Sequence, residues 1–180
     1  MERQDKRRSH ITSVEFDPED FEYIMGLLKE GRIRSLKEFV EKCVKFGKEY
    51  TIDRWNGGLF YFGPVRVVIL AKRMLDVMIQ KLREEDYEII GRELGDVIGS
   101  LLMLRGIDGK DPARMREAFD MLNKFGLGVF ELSGEKIQVA HPTLPSEMTK
   151  AMLQQIFGMR LEAIKTLLDV HFYRMVKERT

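Results

Sequence analysis

Apolar positions recur every three to four residues over much of the chain, and the interruptions mark its joints. Phe21, Ile24, Met25 and Leu28 fall at i, i+3, i+4 and i+7, which is one face of a helix. Asp17-Pro18 precedes them: an N-cap acceptor followed by a first helical residue that needs no donor. Glu19 and Asp20 then lie at the positive end of the helix dipole. Gly31 stops this helix. A second one opens at Ser35, with Glu38 at capping-box spacing and apolar positions at Leu36, Phe39, Val40, Cys43, Val44 and Phe46. Ahead of both, residues 10–16 carry β-branched Ile11, Thr12 and Val14, and predict a short strand.

Beyond Tyr50 the pattern changes. Trp55-Asn56-Gly57-Gly58 is turn chemistry, and residues 59–62 read as a short aromatic strand. Pro64 suits the first position of a helix that runs to about Glu85 through Val68, Leu75, Met78, Ile79 and Leu82. The next helix covers residues 86–105 through Ile90, Leu94, Ile98 and Leu101. Asp111-Pro112 starts another, to Lys124, which Gly126-Leu127-Gly128 breaks. Residues 129–132 and 136–140 predict a β-hairpin, and a long helix comes after it over 146–178. The expected fold is therefore α+β and mainly helical. It has an arm over 1–9, a strand-helix-helix module over 10–50, and a helical domain with a small antiparallel sheet over 51–180.

A strand of six or seven residues and two short helices cannot bury their own apolar face. Two copies that pair their strands antiparallel would close both helix pairs over one shared core. The segments Val14-Glu15-Phe16-Asp17-Pro18-Glu19 and Arg34-Ser35-Leu36-Lys37-Glu38-Phe39-Val40, in this order and spacing, resemble the ribbon-helix-helix superfamily of repressors and antitoxins. The resemblance spans residues 9–50, under a third of the chain. It implies a homodimer, or a higher even-numbered oligomer, that inserts a two-stranded ribbon into the major groove of double-stranded DNA. It implies a dimer core of Thr12, Val14, Phe16, Phe21, Ile24, Leu28, Phe39, Val40 and Cys43. Ile11, Ser13 and Glu15 would face the bases. Arg7, Arg8 and Arg34, with Ser35, Leu36 and Lys37 at the start of the second helix, would meet phosphates. The outward face departs from the superfamily, which usually carries Arg, Lys, Thr, Asn or Gln there. Glu accepts from cytosine N4 and Ile touches a thymine methyl, yet a carboxylate in a phosphate-lined groove is repelled. A module that only dimerises is thus the alternative reading.

Charge adds to this picture through its distribution, because the net charge is only +1. Residues 29–48 hold seven basic against three acidic side chains, residues 1–8 hold four against two, and an acidic run from Glu15 to Glu22 separates them. Charged residues make up 33% of the chain beside two Asn and five Gln, a balance associated with heat-adapted proteins. The single cysteine, Cys43, rules out an intrachain disulfide. Its place in the apolar stripe makes it a small buried hydrophobe, and a cytoplasmic setting is expected. No apolar run approaches the length that spans a bilayer.

Site chemistry is sparse. His10, His141 and His171 lie far apart, whereas nickel-responsive relatives of the ribbon-helix-helix repressors use clustered His and Cys, so no metal site is expected. Gly91, Gly95 and Gly99 form a small-residue row, read as close helix packing rather than a ligand cleft. The eleven methionines read as core filler. No nucleophile, general acid-base pair or cofactor loop declares itself, so neither an enzyme nor a cofactor is expected. The order helix, Gly-x-Gly, hairpin, long helix is similar to small-molecule-binding domains related to 4-vinyl reductase. That makes the larger domain a place for an effector, or for a small apolar ligand.

Overall fold

In the computed structural model residues 13–167 and 169–176 are described. They divide into two compact units, with the boundary between Ile69 and Leu70.

The first unit contains α1 (Pro18–Lys29) and α2 (Leu36–Tyr50). Both start where the cap signals place them, although the Asp17 side chain makes no capping hydrogen bond. Ile24, Leu27 and Ile33 form the buried centre, with Phe16, Leu28 and Phe39 packed against it. Leu27 and Ile33 lie outside the stripe read from the sequence. Ile33 sits in the turn between the helices, where its backbone comes just after Gly31 and its side chain closes the gap. Ser13–Asp17 ahead of α1 form neither helix nor strand, so the strand expected over 10–16 is not seen in its described part; the Asp17 backbone is extended. Residues 10–12 fall outside the described part, as does the arm.

The first unit continues past Tyr50. Leu59 bridges back to Asn56, and β1 (Phe60–Phe62) pairs antiparallel with β2 (Val65–Val67). The helix expected from Pro64 is therefore a correction. Gly63 (φ +62) and Pro64 form the two-residue loop of a hairpin, with glycine at the first central position as in type II′ loops. Val65-Arg66-Val67 then alternates as a strand. The helical pattern resumes only at α3 (Lys72–Ile79). The hairpin is fastened to the end of α2: the Trp55 indole donates to the carbonyls of Tyr50 and Tyr61 at 3.1 and 3.0 Å, and the Thr51 hydroxyl donates to Tyr61 at 3.0 Å. These ties move the boundary from the expected 50/51 to 69/70.

The second unit is built from α3, α4 (Tyr87–Leu104), α5 (Met115–Leu122), β3 (Val129–Ser133), β4 (Lys136–Ala140), α6 (Ser146–Phe157), β5 (Arg160–Leu167) and β6 (Val170–Val176). A four-stranded antiparallel sheet runs in the order β3-β4-β6-β5. Two helices differ from expectation. Asp111-Pro112 closes a turn, in which the Asp111 carboxylate accepts from the Ala113 amide at 2.9 Å, and α5 begins three residues later. The expected long helix over 146–178 ends at Gly158, which takes the left-handed conformation (φ +60), where a side chain is disfavoured. The chain then turns back on itself as β5 and β6, and Val170-His171-Phe172-Tyr173 is a run of β-branched and aromatic residues suited to a strand.

α6 holds the unit together. Met148, Ala151, Met152, Leu153, Ile156 and Phe157 are buried, Phe157 stacks on Phe119 of α5 at 4.8 Å, and the Tyr173 hydroxyl donates to the Ser146 carbonyl at 2.9 Å. Ile137 and Val139 of β4 lie opposite Tyr173 and His171 of β6, and all four are buried. Along the other side of α6 runs α4, with Gly91, Gly95, Ile98 and Leu102 buried.

Candidate nucleic-acid interface

Two elements of the first unit carry the residues named for DNA contact: the segment ahead of α1 and the start of α2. Phe16 packs on the Ile24–Leu27–Ile33 core, while Ser13 and Glu15 are exposed. Phe16 is the one residue of this segment turned inward, so the in-out alternation expected of a strand is not seen here. Val14 shares the parity of Phe16 but is 59% exposed, with nothing among the described residues covering it. Ile11, Thr12, Arg7 and Arg8 lie outside the described residues.

At the start of α2 the Ser35 backbone is extended and its hydroxyl accepts from the Glu38 amide at 3.1 Å. The second half of the capping box is shifted by one residue. The Glu38 carboxylate accepts from the Arg34 amide at 2.7 Å instead of from that of Ser35. Lys42 lies 2.9 Å from its other oxygen. The Lys42 hydrogen bond first, and the Arg34 amide second, hold the Glu38 carboxyl below the ordinary carboxylate value. Leu36 and Lys37 are the first helical residues, so their amides have no acceptor within the helix and point to solvent together with the helix dipole. Arg34 and Lys37 are exposed nearby; Lys37 lies 3.6 Å from Glu41. The arrangement offers two backbone donors and two cations, with one carboxylate already on the adjacent amide.

α2 itself buries no residue. Leu36, Val44 and Phe46 are exposed, Phe39 and Val40 half-buried. Cys43, expected to be buried, is exposed, because the apolar stripe that contains it has no covering element among the described residues. An open groove of about 420 Å³ runs along this stripe past Leu27, Ile33, Phe39, Cys43, Phe46 and Ile52, with Arg32 and Lys42 at its edges. Phe21 of α1 is likewise exposed, while Ile24 is buried and Leu28 half-buried.

The histidines of the second unit are apart. His141 (φ +49) contacts Asp169 through Nδ1 at 2.9 Å, both exposed. His171, expected on a helix, is buried in β6 with Nε2 3.2 Å from the Leu144 carbonyl. Among the described residues no three His, Cys, Asp or Glu side chains are placed to hold a metal ion, and no helix is long and apolar enough to cross a membrane. In comparisons with known proteins, no family model, no curated protein and no solved structure matches the chain.

Proposed function

We propose that the chain is a dimeric DNA-binding transcriptional regulator. In this reading the segments ending at Phe16 pair across a two-fold axis, and their ribbon enters the major groove. The observation that carries it is α2: fifteen residues with a well-formed amphipathic stripe and no buried residue. Such a helix requires a covering surface, and a second copy of the same module supplies one of matching composition. Burial of Val14, Phe21, Val40 and Cys43 in that contact would complete a core of which one chain builds only half. Ser13 and Glu15 would then face the bases, and the amides of Leu36 and Lys37, with Arg34, would meet a phosphate on each side. The second unit would sense an effector or extend the assembly.

Fluorescence anisotropy on labelled operator-length fragments recovered by genomic pulldown tests this reading. Four cations per copy, Arg7, Arg8, Arg34 and Lys37, give a slope of log affinity against log salt near −7 if all eight neutralise phosphates. A recovered fragment whose binding ignores salt, or the recovery of none, refutes it. The second reading, a module that dimerises without DNA, is favoured by the exposed Glu15 and by the carboxylate of Glu38 at the start of α2. It predicts a concentration-dependent dimer and no DNA binding in wild type or in Glu15→Gln.

A further inference from the structure

We draw no further inference here: the strongest candidate, the open cleft between the second half of α4, residues 108–110 and the end of α6, carries only the bare backbone of Gly99 and two exposed carboxylates, Asp96 and Asp108, and nothing in the structure shows what ligand it would hold.

Discussion

Gly91 and Gly99 lie two turns apart on α4, and replacing each by alanine should move stability in opposite directions. A methyl at Gly91 would press into the Met148 carbonyl oxygen and stand 2.8 Å from the Ala151 Cβ. At Gly95 it would stand 2.6 Å from the Gln155 Cβ and 2.7 Å from the Met152 carbonyl oxygen. Carbon atoms pack best about 3.5–4.0 Å apart, so α4 and α6 would have to separate by roughly 1 Å. A gap of that size forfeits a quarter to a half of each dispersion contact it opens. Overpacking of this kind costs about 1–3 kcal/mol, and the obstacle here is backbone, which places Gly91→Ala at the upper end. The helix gains up to ~1 kcal/mol from alanine over glycine, leaving a net loss of about 1–2 kcal/mol. Gly99 has nothing within 4 Å of the added methyl, so only the gain remains. For a unit of about 110 residues, 1 kcal/mol shifts the melting temperature by roughly 4–8 °C. Calorimetry of the full chain should therefore show the second unit's transition falling by ~5–15 °C in Gly91→Ala and rising by up to ~8 °C in Gly99→Ala. Equal responses to the two substitutions would refute the packing argument, since both share the same helix and the same change in propensity.

Single residues elsewhere give further expected outcomes. Ser35→Ala removes the acceptor for the Glu38 amide and should destabilise the first unit by about 1 kcal/mol, read by chemical denaturation. Glu38→Gln should also weaken that unit, in a pH-dependent way: a carboxyl whose pKa is lowered on folding contributes above its unfolded value and ceases to contribute as pH falls through the folded one. Melting curves of wild type and variant should thus converge in acid; a constant difference across pH would show that the charge of Glu38 is immaterial. Burial pushes the Tyr173 phenol up to about 12, so its protonated form is favoured by folding. The stability it contributes is present below pH ~10 and is lost as pH rises towards the folded value, on the order of 2–3 kcal/mol. An alkaline melt should show this limb in wild type and its absence in Tyr173→Phe. If the ribbon reads DNA, Glu15→Gln should tighten binding by roughly tenfold, because two repelled carboxylates leave the groove; weaker binding would instead show that Glu15 accepts from a base.

Much of the first unit is legible in the sequence because its signals are local. Asp17-Pro18 and the Ser35–Glu38 spacing fix where α1 and α2 start, and the helical period fixes which faces are apolar. Ile33 is not legible, since a lone apolar residue in a basic turn has no period to belong to. Nor is the β1–β2 hairpin: Gly63-Pro64 serves a helix start and a tight loop equally well, and only the anchoring of Trp55 and Thr51 on β1 decides. The misreading of residues 146–178 has the same origin. Gly158 is a weak stop when read alone, and β5 is stabilised by pairing with β6, a contact between residues that periodicity treats as one helix. Within the candidate interface, alternation gives the inward position of Phe16 but not the exposure of Val14, which shares its parity. It does not give the displacement of the Glu38 carboxylate onto the Arg34 amide, because the two possible donors are adjacent in the chain.

Phe16 also governs which alignments of the segment ahead of α1 are tolerable. It is flanked by Glu15 and Asp17, so sliding the segment by one residue in either direction would press a carboxylate against Ile24, Leu27 and Ile33. Side chains alternate with a period of two, and any single-step slip exchanges the inward set for the outward one. An unpaired charge in such a core is expelled or neutralised at a cost of several kcal/mol. If the segment pairs between copies as proposed, the acidic neighbours would act as a proofreading device. They would reject misaligned partners before any nucleic acid is met, and in that reading they give a reason for carboxylates on a surface where attraction to phosphate alone would favour lysine.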